Sequence, residues 1–111
     1  HATSTGKAWL AYDDTAIDRL GDDLQILTPK TVPDRASLAP QLAEIRKRGY
    51  AITVNEMEEG FSAVATIIRG VLGDVQATLS VGGPTHRLTA SRRAELGTTL
   101  RRAAERLGPE F

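Results

Sequence analysis

Past Gly49 the apolar residues of this chain stop recurring every three to four positions and begin to alternate, and that change of period constrains the fold more than any other feature. "YAITV" sets Ile52 and Val54 on one side and Ala51 and Thr53 on the other, while "FSAVATIIR" and "VQATLSVGG" are two further strand-like runs. The "GVLGD" between the last two carries Gly70 and Gly73, enough for a hairpin loop. Within the last run Val75, Ala77, Leu79 and Val81 share one side and Gln76, Thr78, Ser80 and Gly82 the other. The sheet is expected to have one apolar and one partly polar face.

Helical patterns flank these strands. "HATSTGKAWLAY" offers Thr3, Ser4 and Thr5 as N-caps for a helix from about Thr5 to Tyr12, and "DDTAIDRLGDD" reads as a short second helix closed by Gly21. "LQILTPKTVPDR" suggests a brief strand and then an extended loop. Leu38, Leu42 and Ile45 form one stripe of a longer helix that ends in "RKRG". With Ser37 as its cap, Pro40 falls at the third position, where a missing N–H costs nothing, so the regular helix is expected from Ser37. Thr89 caps a last helix whose stripe is Leu96, Leu100, Ala103 and Leu107, ending at Gly108 and Pro109. Helices followed by consecutive strands and a closing helix predict an α+β fold, with helices packed on an antiparallel sheet whose outer strands are edges.

A chain of 111 residues is sized for one domain. Its 14 basic and 14 acidic residues balance, so no overall field draws it to nucleic acid or an anionic membrane. Cysteine is absent, which excludes disulfides and thiolate metal sites. No apolar run approaches the roughly 20 residues of a membrane span.

Few residues suggest chemistry on their own. Ser4 and Thr5 read as ordinary caps, Trp9 as a core anchor and Lys7 as a solvated lysine. Asp74, Ser80 and His86 hold the residue types of a hydrolase triad, but no G-x-S-x-G elbow surrounds a serine. His1 and His86 have no metal-ligand spacing, and "VGGP" lacks the lysine of a phosphate loop. Arg92, Arg93, Arg101, Arg102 and Arg106 are spread around the last helix and interrupted by Glu95 and Glu105, the pattern of a solvated face. No catalytic residue, metal site or cofactor is expected.

The succession "H-x-T-x-x-GKAxLA", "LTPKT", "LxxIRKRGYA", "EEG" and "LSVGGPTHRLT" resembles the C-terminal, GAF-like effector-binding domain of the IclR family of bacterial transcriptional regulators. The resemblance covers nearly the whole chain. It implies that residues 1–111 are the later part of such a domain, with a winged helix-turn-helix, a linker helix and the first strands of the sheet belonging to the portion before His1. It further implies a non-enzymatic, cytoplasmic sensor of a small organic acid, acting as a homodimer or homotetramer and meeting DNA only through that N-terminal domain, with no membrane partner. The alternative is an oligomerisation module without a functional pocket. Carried onto this sequence, the effector positions are Ser4, Thr5, Gly6, Thr53, Phe61, Ala63, Ser80 and Gly82. Where the family pattern has an aspartate this chain has Thr53; Phe61 takes a typically aliphatic place, Ala63 stands where some members have cysteine, and Gly82 lacks a serine hydroxyl. These departures predict a less polar pocket, roomier at Ala63 and Gly82, and bring a larger or aromatic acid among the candidates.

Overall fold

The computed structural model describes residues 1–110. Two short helices, α1 (Ser4–Leu10) and α2 (Asp14–Asp18), precede the longer α3 (Arg35–Arg48); strands β1 (Ala51–Val54), β2 (Phe61–Arg69) and β3 (Val75–Pro84) follow, then α4 (Ala90–Leu107) and a closing turn over Gly108–Glu110. The strands form one antiparallel sheet in the order β1-β2-β3, joined at the Gly70 to Asp74 hairpin, where the Gly70 N–H donates to the Asp74 carbonyl at 3.0 Å. Gly73 takes a φ of 84° in that loop, which glycine adopts without steric cost.

Cross-strand partners share a side of the sheet. Ala51 pairs with Ala65, Thr53 with Ala63, Ala63 with Gly82 and Ala65 with Ser80. On this side Ala51, Ala65 and Ile67 join Ala8, Leu10 and Ala11 of α1 and Leu38, Leu42 and Ile45 of α3 in the core. The opposite side, with Ile52, Val64, Thr66 and Ile68, receives α4, so β2 is covered on both faces and its interior residues are all buried. A strand covered twice has no solvent-facing side, and its buried polar residues are bonded inside: the Ser62 hydroxyl pairs with that of Thr85 at 2.8 Å and the Thr66 hydroxyl donates to the Gly49 carbonyl at 2.7 Å.

The two sides of β1 alternate as read, and the fully buried one carries the small Ala51 and Thr53, because α1 lies close against it, while Ile52 and Val54 are half-buried. Several expectations need correction. A bulge sets Val75 opposite Arg69 while Ala77 stays opposite Ile68; the extra Gln76 turns Val75 onto the α1 side, where it packs on the core instead of sharing a face with Ala77, Leu79 and Val81. Helix α1 begins at Ser4 with Thr3 as its cap and stops at Leu10, and α2 ends at Asp18, before Gly21. No strand forms in "LQILTPKTVPDR"; Asp23 makes a single bridge to Asp34.

That bridge explains the start of α3. The Arg35 N–H donates to the Asp22 carbonyl at 2.9 Å, and the Asp34 carboxylate, so anchored, accepts the Ser37 N–H at 2.7 Å. Asp34 is therefore the cap instead of Ser37, and Pro40 lies inside the helix, where it withholds one donor from the second turn. Thr89 caps α4 as expected, but the buried stripe is Gly97, Leu100 and Ala104, with Leu107 exposed. Tyr50 decides this rotation: a Cβ at Gly97 would fall 2.5 Å from its ring.

Candidate ligand-binding cavity

Where the start of α1 meets the sheet, Ala2, Thr3, Ser4, Thr5, Thr53, Met57, Phe61, Ala63, Ser80 and Gly82 enclose a cavity of about 220 Å³. Seven of the eight positions singled out in the sequence line it: Ser4, Thr5, Thr53, Phe61, Ala63, Ser80 and Gly82. Three elements bring them together. The register that sets Thr53 opposite Ala63 and Ala63 opposite Gly82 aligns them across β1, β2 and β3, and α1 closes the space from above. Ser4 and Thr53 are buried, whereas Ser80, Gly82 and Phe61 lie at the open side. Among the described residues the hydroxyls of Ser4, Thr5, Thr53 and Ser80 have no hydrogen-bond partner in the protein.

Gly6 stands apart from the other seven. Its N–H donates to the Thr3 hydroxyl at 2.9 Å, and a Cβ at this position would come within 2.8 Å of that oxygen. Its role is to let Thr3 cap the helix, so its donor is not available to a ligand. The seven-residue α1 is also too short to contribute much of a dipole, which leaves hydroxyl groups as the polar lining. Ala2, Thr3 and Met57 line the cavity without having been singled out; the one signal was an apolar Met57 inside the acidic "NEMEEG" loop.

The expected roominess at Gly82 is not there. A Cβ on Gly82 would fall 2.6 Å from Cζ of Phe61, so the aromatic ring lies across the glycine and fills the space a side chain would take. Phe61 and Gly82 therefore act as one steric unit in this cavity wall. Phe61 and Ala63 contribute only carbon to the lining.

Behind the cavity is a second polar group of opposite character. Lys7, expected in solvent, is fully buried, and its ammonium donates to the carboxylate of Glu56 and to the side-chain carbonyl of Gln41 on α3. Burial pushes the Lys7 amine below its ordinary range, and the hydrogen bond and charge of Glu56 partly restore it. The loop that carries Glu56 is pinned by the "LTPKT" segment: the Thr28 hydroxyl donates to the Asn55 carbonyl and the Thr31 hydroxyl to the Glu56 carbonyl. Asn55, at φ 57°, accepts the Gly60 N–H at 3.0 Å and the Thr85 hydroxyl at 2.7 Å through its side-chain oxygen. This network fixes the turn from which Met57 and Phe61 reach the cavity.

Trp9 is half-buried, with its indole N–H donating to Asp13 at 2.9 Å, and it belongs neither to the core cluster nor to the cavity. Its partner Asp13 accepts this bond and the Ala16 N–H, which together hold its carboxyl below the usual range. Asp74 and His86 lie beyond opposite ends of the ten-residue β3, so they cannot meet at Ser80. Among the described residues no three His, Asp or Glu side chains are grouped to hold a metal ion, and no helix is long and apolar enough to cross a membrane.

A family model described as the bacterial transcriptional regulator IclR C-terminal matches residues 1–108. The chain is 34% identical over 107 residues to the HTH-type transcriptional repressor AllR of Escherichia coli K12, covering 94% of this chain and 40% of that protein. It is 33% identical over 110 residues to the HTH-type transcriptional regulator BhcR of Paracoccus denitrificans, covering 96% of this chain and 39% of that protein. The chain therefore spans about two-fifths of these relatives. Among solved structures, the Agobacterium tumefaciens repressor BlcR aligns with a TM-score of 0.87 at 29% identity, over 96% of this chain and 44% of that one. The inducer-binding domain of the transcription factor PobR from Acinetobacter, a double mutant in complex with 3-hydroxybenzoic acid, aligns with a TM-score of 0.86 at 28% identity, over 100% of this chain and 66% of that one.

Proposed function

This chain belongs to the IclR C-terminal family of bacterial transcriptional regulators, and from that premise we propose that its hydroxyl-lined cavity senses a small organic acid. What carries the proposal is the convergence of Ser4, Thr5, Thr53, Phe61, Ala63, Ser80 and Gly82 on one space, with four hydroxyls that have no protein partner among the described residues. Such donors suit a carboxylate, which accepts several hydrogen bonds at once. The Phe61 ring and the Ala63 and Met57 side chains offer an apolar wall for the rest of the molecule. A volume of about 220 Å³ lies below the roughly 300–1,000 Å³ usual for drug-sized ligands, which favours an acid of one ring or fewer. The 3-hydroxybenzoic acid held by the PobR domain is of that class.

Binding would change DNA affinity in the whole regulator, through DNA-binding residues outside this chain, by favouring one arrangement of a homodimer or homotetramer in the cytoplasm. That requires the acid to bind the two arrangements with different affinity. A calorimetric titration of the full-length protein against a panel of aliphatic and single-ring carboxylic acids, repeated with its operator DNA bound, tests this. A saturable acid whose affinity differs between free and DNA-bound protein is the expected result; none in the panel would remove the proposal.

A second reading has its own observation. Val71 and Leu72, at the tip of the β2–β3 hairpin, are 76% and 89% exposed, and β1 and β3 are edge strands of this sheet. Such features fit a surface that joins subunits. An oligomeric state that collapses on Leu72→Asp, with no acid bound in any titration, would favour the module reading.

A further inference from the structure

A second cavity lies at the other end of β2, about 20 Å along the strand from Ala63 at roughly 3.3 Å per residue. It measures about 370 Å³ and forms where Tyr12, the last turn of α3, the end of β2 and the second half of α4 meet. Three arginines from three elements line it: Arg46 from α3, Arg69 from β2 and Arg101 from α4. Among the described residues Glu105 is the one carboxylate that lines it.

Each cation is held differently. Arg46 donates from Nη1 to the Ala11 carbonyl at 3.0 Å. Arg69 lies over the Tyr12 ring, 4.5 Å from its centroid. The stem of Arg101 crosses Gly49, where a Cβ would fall 2.7 Å from its Cδ, so the glycine is what lets this side chain reach inward. The Thr66 hydroxyl is already donated to the Gly49 carbonyl at 2.7 Å, which leaves guanidinium N–H groups as the available donors.

The neighbouring charges make the arrangement unusual. Elsewhere on the surface Arg35 pairs with Asp18 and Arg92 with Glu95, yet among the described residues none of Arg46, Arg69 and Arg101 forms an ion pair. Three like charges gathered in a chain of zero net charge repel one another unless an anion joins them. Arginine forks donate paired N–H groups to the oxygens of phosphate or carboxylate, and three arginines lining one cavity supply such donors in excess of its single glutamate.

We infer that this cavity is a second ligand site, which takes a compact dianion, a phosphate monoester or a small dicarboxylate, independently of the hydroxyl-lined cavity. Isothermal titration of the full-length protein at constant ionic strength tests it, with inorganic phosphate, glycerol 3-phosphate and succinate as probes. Saturable binding of at least one probe is expected, weakened about tenfold or more in Arg46→Gln and in Arg101→Gln, as for loss of a charge-assisted hydrogen bond. A Ser4→Ala/Ser80→Ala variant should bind it as the wild type does. Preference for glycerol 3-phosphate identifies the phosphate form and preference for succinate the dicarboxylate form. The three arginines are exposed, so their variants should remain folded, and a melting curve for each separates lost binding from lost structure. The inference is overturned if no probe saturates, if both arginine variants bind as the wild type does, or if the serine variant loses the dianion too.

Discussion

Ser4 and Lys7 lie three residues apart on one short helix, both buried, yet their polar groups end in opposite conditions. The Lys7 ammonium is held by Glu56 and Gln41; the Ser4 hydroxyl, with those of Thr5, Thr53 and Ser80, faces a cavity with no protein partner among the described residues. Burying a polar group is costly unless it is hydrogen-bonded. A satisfied group is thereby tied to the fold, and an unsatisfied one beside open space is left for a ligand or solvent. Read this way, the "GK" of the first motif divides its labour: Gly6 and Lys7 build the helix and its anchor, and the residues before them form the lining.

The largest effect should come from breaking the anchor. Glu56→Ala leaves the Lys7 charge buried and unpaired, and is expected to cost about 3–5 kcal/mol in urea unfolding. The double variant Lys7→Met/Glu56→Leu should recover most of that; if it unfolds as readily as Glu56→Ala, the pair is not what ties α1 to the loop. Gly82→Val should come next, at about 1 kcal/mol, because its side chain must push the half-exposed Phe61 ring aside. In a Phe61→Ala background the same change should cost less, and strict additivity would show that the ring does not lie across the glycine.

On the cavity side the stability effects should nearly vanish. Ser4→Ala/Ser80→Ala removes hydroxyls that bond to nothing among the described residues, so its unfolding midpoint should stay within about 0.5 kcal/mol of the wild type. A loss comparable to Glu56→Ala would erase the contrast between the two groups. The smallest effect concerns pH. The folded Lys7 titrates below its ordinary value of 10.5, so between those two values the unfolded chain binds more protons and stability rises with pH. Wild type should therefore gain on Lys7→Met/Glu56→Leu as the pH rises towards 10.5, and a falling difference would mean that Glu56 outweighs burial.

Local patterns were legible in the sequence and long-range partners were not. The α3 stripe of Leu38, Leu42 and Ile45, the Gly70 to Asp74 hairpin and the Thr89 cap depend on neighbours a few positions away, and each stands as read. Lys7 reads as solvated because its partner Glu56 is 49 positions on, and a lysine carries no mark of burial. The Asp34 cap depends on the Asp22 carbonyl, and the turn of Val75 on a bulge that alternation alone does not encode. For the cavity, residue types suggested caps and exposed strand hydroxyls; only the family resemblance drew Ser4, Thr53 and Ser80 towards one space. The fit of Phe61 against Gly82 depends on the β2–β3 register, which makes a diagonal cross-strand pair of two residues that no local pattern connects.

The contrast between the anchored lysine and the free hydroxyls is tested most directly by comparing a saturating carboxylic acid from the panel with its neutral amide in calorimetry, on the full-length wild type and on Ser4→Ala/Ser80→Ala. The account predicts that the carboxylate saturates the wild type, that the neutral amide binds at least about tenfold more weakly, and that the variant loses this preference while remaining as stable as its parent. Equal binding of acid and amide to the wild type, or an undiminished preference in the variant, would contradict it.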